Sequence, residues 1–275
     1  MLAASPASAW DSKTHREITY LAIQALPSSP LKEFFVRNSS RLQYYSVEPD
    51  VLRANGDEAE GKRHYIDLEN FGSDPFAVLS PDIFVMNKRF GAATVNRAGT
   101  LPWTIVDFSN SLEQAWARGE CAETLRLAGF LSHYVSDASQ PLHTTVHYDG
   151  YENDRGVHMR LERAVDDNSR ELGDSARGEI KLVEVDSVWA AAIAEIRDSN
   201  ARIEDVMRAD RAARAQYSRD RRAYDDALLS RERALIVEQL ARAASVLESI
   251  WIYEWTQAGR PGRCTGKLSS APAFH

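Results

Sequence analysis

Residues His133 to Glu162, HYVSDASQPLHTTVHYDGYENDRGVHMRLE, decide how the chain is read. His133 and Asp137 stand four residues apart in an apolar segment of helical period, so both fall on one face. His158 and Glu162 repeat that spacing at the start of the next segment. Between the pairs, Gln140-Pro141 ends the first helix and His143 follows in a loop. Imidazoles and carboxylates on one face suit a borderline-soft divalent cation, zinc first. The competing reading is a set of hydrogen-bonded core histidines with neighbouring carboxylates. Two spaced pairs and a further histidine in so short a stretch favour the metal.

Upstream, Ser12 or Thr14 can cap a helix running to about Leu26, with His15 in its first turn and Pro27 and Pro30 closing it. A short helix is expected over 31–36 and another over 44–53, the latter containing Asp50. The polar stretch 54–62 reads as a loop. It leads into Arg63-His64-Tyr65-Ile66-Asp67, which Asn70, Gly72 and Pro75 place on irregular chain beside the site. Pro102 opens a helix with Ile105, Phe108, Leu112, Ala115 and Trp116 on its apolar face, closed by Gly119.

Residues 122–138 form the helix that carries His133 and Asp137. Asp186 is placed to cap a helix with Trp189, Ala192, Ile193 and Ile196 on one side. From 201 to 233 arginine and aspartate alternate, which reads as a solvated helical hairpin with a phosphate-binding arginine patch as the alternative. A last long helix ends near Thr256, and Gly259-Arg260-Pro261-Gly262 breaks it before a loose tail over 261–275. No convincing period-2 strand is found. The expected fold is all-α, a single-domain helical bundle with a metal site between helices.

The 275 residues suffice for one full core, and 44% hydrophobic with 27% charged residues is an ordinary globular balance. A net charge of -7 argues against coating duplex DNA, although metal ions can supply positive charge locally at a nuclease site. No apolar run is long enough to span a membrane, so an integral membrane protein is not expected. The first nine residues, MLAASPASA, end in the small residues that signal peptidase prefers but lack a charged start and a long apolar run. They read as the remnant of a signal peptide, which points to a secreted or periplasmic protein. Cys121 and Cys264 either form one disulfide or remain as buried thiols.

Five of the seven histidines combine with Asp50, Asp137 and Glu162 into a longer pattern. Trp10 is followed after four residues by His15, and Asp50 by His64. Then come H-x-x-x-D-x-x-x-x-x-H at His133, Asp137 and His143, and H-x-x-x-E at His158 and Glu162. The pattern resembles the superfamily that joins zinc-dependent bacterial phospholipase C with the single-strand-specific fungal and plant nucleases. The resemblance implies a zinc-dependent phosphodiesterase domain over 10–260 with three zinc ions in an all-α fold. Asp50, His64, His133 and Asp137 look like the ligands of one zinc. The amine and carbonyl of Trp10, with His15 and Asp137, look like those of a second, bridged to the first by the Asp137 carboxylate. His143, His158 and Glu162 look like the third set. Asp50 is placed by resemblance to assist as a base, and Arg53 follows it in the catalytic group. The Trp10 amine can ligate only if it is the mature N-terminus, so cleavage after Ala9 is expected.

The substrate divides the resemblance. The Trp10–His15 spacing and Arg53 look like the nucleases. The spacings Asp50–His64 and His143–His158, and glutamate at 162, look like the phospholipase. A nuclease would use Tyr65, with Tyr148 or Tyr151, to stack a base while Asp67 reads its edge; in a phospholipase the same pocket accepts a head group. Tyr65 as simple packing is the third possibility. The sequence leans toward a single-strand nuclease, with phospholipase C as alternative and a non-catalytic metal-binding protein as a reading of another class. Single-stranded nucleic acid or phospholipid is the expected substrate, and no stable protein partner is implied.

Overall fold

The computed structural model describes residues 10–262 together with Cys264 and Leu268. The expected signal-peptide remnant at 1–9, and the rest of the expected tail, lie outside the described residues. Among the described residues every regular element is helical, as expected.

Helix α1 (Ser12–Ala25) is capped by Asp11, whose carboxylate accepts from Ser12 N, instead of by Ser12 or Thr14. Next come α2 (Pro30–Arg37), α3 (Ser39–Tyr45) and α4 (Glu48–Ala54). The single helix expected over 44–53 is therefore two, broken at Ser46 and Val47. Pro49 then lies in the first turn of α4, where its missing N–H would have had no helical partner. The one-turn α5 (Glu58–Gly61) occupies part of the stretch read as loop, and three 3-10 turns, Lys62–His64, Leu68–Phe71 and Pro75–Ala77, follow. Helices α6 (Ile83–Phe90) and α7 (Ala92–Ala98) precede the long pair α8 (Leu101–Arg118) and α9 (Cys121–Ala138). Gly119 between these adopts the left-handed conformation at φ 72° that ends a helix cleanly.

After a 3-10 turn at Pro141–Thr144 come α10 (Val157–Asp167), α11 (Ser169–Ala176) and α12 (Val188–Ala201), the last capped by Ser187 and not Asp186. The charged stretch forms α13 (Ile203–Tyr217) and the first turns of α14 (Arg221–Gln257), a single helix of 37 residues. The hairpin is less solvated than its composition suggests, because Asp210 is fully buried and Tyr224 nearly so.

Helix α14 is the spine of the core, packing against α1, α8, α9, α11 and α13. Phe35 meets Trp251 edge-on at 4.8 Å and Phe34 meets Trp116 at 5.6 Å. Truncating such a fully buried tryptophan costs about 3–5 kcal/mol. On the other side of the core, α3 approaches α9 so closely that a Cβ at Gly129 would come within 2.3 Å of Tyr45. That contact fixes the turn of α9 just before His133. A disulfide joins Cys121 at the start of α9 to Cys264, and Leu268 N donates to Asn38 Oδ1. At these two residues the expected loose tail is instead tied to the body.

Candidate metal centre

His133 and Asp137 stand on α9 with no exposure, and His133 Nε2 lies 3.4 Å from Asp137 Oδ2. The 3-10 turn before Tyr65 brings His64 Nδ1 to 3.2 Å from the same oxygen and 3.0 Å from His133 Nε2. From α1, His15 Nε2 reaches 3.6 Å from the other oxygen, Asp137 Oδ1. Asp137 thus faces different histidines with its two oxygens, the disposition that a bridging carboxylate requires. Asp50 on α4 completes the approach, with Oδ1 3.7 Å from His64 Nδ1 and 2.9 Å from Arg53 Nη2.

A second assembly lies beside the first. His143 Nε2 is 3.0 Å from His158 Nε2, and Glu162 Oε1 is 2.5 Å from His158 Nε2 and 3.5 Å from His143 Nε2. Ligand atoms close enough to share one cation therefore occur in three sets: His143, His158 and Glu162; His64, His133 and Asp137; and His15, Asp50 and His133. The first is the set inferred from the motif. The others divide His15 and Asp50 differently, since His15 groups with Asp50 and His133 as well as facing Asp137. Trp10 is buried at the same end of the molecule, its indole donating to Ser139 Oγ at 3.2 Å.

The polar environment fits cations better than a packed core. Both oxygens of Asp137 and both nitrogens of His15 are buried without a hydrogen-bond partner. Leaving such groups unsatisfied costs about 1–3 kcal/mol each, more when charged. Burial holds His133 and His158 down to about 3, and His15 and His64 well below the usual imidazole range. The imidazoles are therefore neutral, with lone pairs to offer. Burial likewise pushes Glu162 up to about 7 and Asp137 well above the carboxylate range, the latter with help from Asp50. Carboxylates so penalised are stabilised by nearby positive charge.

Outer contacts orient several ligands. His133 Nδ1 donates to the Ser46 carbonyl at 2.8 Å, and His143 Nδ1 to the His64 carbonyl at 2.6 Å. Both bonds leave Nε2 as the free lone pair. His64 turns Nε2 toward Glu60 Oε1 at 3.4 Å, and Gln140 Nε2 donates to Glu162 Oε1 at 2.8 Å. Such partners set tautomer and ring orientation in metal sites. The sequence reading missed Glu60 and Ser46. The spacing of Glu60 four residues before His64 was the available signal.

A cavity of about 450 Å³ opens onto the centre, with His64, His143 and His158 in its wall beside Arg53, Tyr65 and Tyr148. Asp67 also lines it, and burial raises this carboxyl to about 7. The Tyr65 hydroxyl is within 3.2 Å of Lys62 Nζ. Gly99 packs so tightly on Tyr65 that a Cβ there would lie 2.2 Å from the Tyr65 carbonyl oxygen. Tyr65 therefore belongs both to the cavity and to the packing. Tyr148 stands edge-on to His158 at 5.8 Å, whereas Tyr151 donates to Glu204 Oε1 and is not in the cavity wall.

The family model for zinc-dependent phospholipase C matches residues 14–223. Among solved structures, the alpha-toxin of an avian strain of Clostridium perfringens is similar at a TM-score of 0.54 and 15% identity. The match covers 93% of this chain and 65% of that one. The alpha-toxin of Clostridium absonum is similar at 0.52 and 12% identity, covering 92% and 65%. These likenesses concern the fold, and the chain spans just under two thirds of either toxin. No curated protein matches the sequence. With the family pattern spread over most of its length and the ligand sets assembled in space, the chain belongs to the zinc-dependent phospholipase C family, a family of phosphoric ester hydrolases.

Proposed function

We propose that the protein is a zinc-dependent phosphodiesterase that cleaves the head group of a phospholipid. The observation that carries this reading is the convergence of eight imidazole and carboxylate ligands beside a cavity large enough for a head group. The family match over 14–223 supports lipid over nucleic acid. The residues that would hold zinc are His15, Asp50, His64, His133, Asp137, His143, His158 and Glu162, with Trp10 joining through its amine where the chain begins there. Zinc bound there would neutralise the anionic phosphodiester and make water acidic enough to act as a nucleophile near neutral pH.

The chain's own groups then divide the work. Arg53, in the cavity wall and paired with Asp50, orients a non-bridging phosphoryl oxygen. Asp50 takes the proton of the attacking water. Tyr65, Leu142 and Tyr148 give the cavity an apolar side, and Asp67 holds a polar group of the substrate. Single-strand nuclease activity is the second reading, because two tyrosines and a carboxyl in one cavity also suit an unstacked base.

The disulfide supports export, since such bonds persist in oxidising compartments. Secretion, with cleavage before Trp10, is part of the same proposal. The test offers zinc-loaded protein phosphatidylcholine vesicles and single-stranded DNA in parallel. Release of a phosphorylated head group with DNA intact is expected. Nucleotide release with inert vesicles would replace the lipid reading by the nuclease one.

A further inference from the structure

The charged hairpin builds a second cavity, on the side of α10 away from the metal ligands. It measures about 780 Å³ and is lined by Arg160, Arg163, Arg211, Arg214, Arg219 and Arg221, with Asp154 as the sole carboxylate in its wall. Alternating arginine and aspartate would ordinarily be a solvated, self-neutralised surface. Here two of the acids, Asp154 and Asp210, are buried and the others grip individual bases, Glu204 meeting Arg211 at 3.7 Å. Asp210, fully buried, accepts from Arg160 and from Arg214 at 2.8 Å, and from the Tyr224 hydroxyl at 2.6 Å. Asp225 holds Arg163 at 2.7 Å, and Asp167 holds Arg221 at 2.9 Å. Asp154 is shared by Arg211 and Arg214. Five of the six guanidiniums are held in place by these acids, Arg160 and Arg214 also donating to the carbonyls of Asp154, Arg155 and Asn153, while Arg219 lies in the wall beside them.

Two further features favour an anion. Arg219 has no ion-pair or hydrogen-bond partner among the described residues, and Arg163 Nε is buried without an acceptor. The N-terminus of the 37-residue α14 opens beside Arg219 and Arg221, and its first turn contains no acidic residue. The Asp220 carboxylate at that end is committed to the Ala223 N–H. A helix N-terminus adds partial positive charge and orphan donors to the fork-shaped guanidiniums.

We propose that this arginine-lined cavity binds a phosphate group, supplied either by an anionic phospholipid head group or by free phosphate. It is independent of the reading of the metal centre. Arginines held in fixed orientation lose little freedom on binding and match phosphate oxygens in bidentate geometry.

The test compares the zinc-loaded full chain with the variant Arg219→Gln/Arg221→Gln. Both side chains are exposed, so the substitutions leave the fold and hydrolytic activity in place. Thermal unfolding is followed as inorganic phosphate replaces chloride at equal ionic strength, and sedimentation is measured with phosphatidylglycerol vesicles. Wild type is expected to respond at about tenfold lower phosphate or lipid than the variant. A response to phosphate alone identifies free phosphate as the ligand. A response to vesicles identifies the lipid head group. Equal responses in the two proteins would place the anion elsewhere, at the metal centre for example, and would overturn the proposal. So would no response in either.

Discussion

Asp137 Oδ2 and His64 Nδ1 meet at 3.2 Å in a fully buried setting, although one lies on α9 and the other on a 3-10 turn. The buried Asp137 oxygens find no hydrogen-bond donor, so the contact makes chemical sense as two ligands around a cation.

Replacing Asp137 by asparagine removes the carboxylate that faces both His15 and the His64–His133 pair. Zinc content should fall, and phosphodiesterase activity should drop by about 10³-fold or more, about 4 kcal/mol in the barrier. The helical far-UV signal should persist, since α14 and its tryptophans are untouched. Unchanged zinc stoichiometry by elemental analysis would show that Asp137 is not a ligand.

Removing the metal from the whole protein should lower its stability. Ligands that gather in the native state bind zinc more tightly than the unfolded chain does, so zinc stabilises by mass action. Treatment with a chelator is expected to lower Tm by several degrees, and added zinc should restore it. A Tm indifferent to both treatments would favour a structural histidine cluster.

Glu60 tests the outer contacts. Its carboxylate accepts from the Tyr134 hydroxyl and from Arg63, and stands 3.4 Å from His64 Nε2. The Glu60→Gln variant keeps shape but removes the negative charge beside His64 Nε2, so zinc affinity should fall about 10–100-fold. Competition with a chromophoric chelator reads this directly. A variant with lower Tm but unaltered zinc affinity would assign Glu60 to packing alone.

The residues that gather in space were legible in the sequence because a metal site needs specific residue types, and i,i+4 spacing on an apolar segment leaves few alternatives. His133–Asp137 and His158–Glu162 needed only helical periodicity. Their grouping was less legible: His15 stands near both Asp50 and Asp137 because α1 and α4 approach α9 together, and no local spacing encodes that. The break between α3 and α4 was hidden because Tyr44 to Arg53 is uninterrupted by glycine, and its proline sits where a helix can begin. The hairpin was misjudged for a related reason. Composition counts Asp210 as a surface charge, whereas two arginines and a tyrosine satisfy it completely inside the protein. The pairing of Cys121 with Cys264 depends on how the chain returns after α14, across 143 residues.

Glu195 gives a pH dependence remote from the metal. It is buried, and desolvation pushes its carboxyl from 4.5 up to about 7 despite Arg242 at 3.1 Å. Between those values the native state holds the proton more firmly than the unfolded chain. Stability therefore decreases as pH rises from about 4.5 to 7, by about 3 kcal/mol at most from this group. The Glu195→Gln variant should show a shallower decline across that window in denaturant titrations. An identical pH profile would mean that the Arg242 pairing keeps Glu195 ionised throughout.

The disulfide closes a long loop, 143 residues between its ends, and so should matter more in the unfolded chain than in the native one. Replacing Cys121 and Cys264 together by serine is expected to cost about 2–5 kcal/mol. Because the bond fastens the start of α9 and not the end that carries His133 and Asp137, zinc content and the rate at saturating substrate should stay near wild type at low temperature. The loss should appear in the denaturation midpoint and in faster inactivation on heating. Loss of zinc at low temperature would instead mean that the bond holds α9 in the register His133 and Asp137 need.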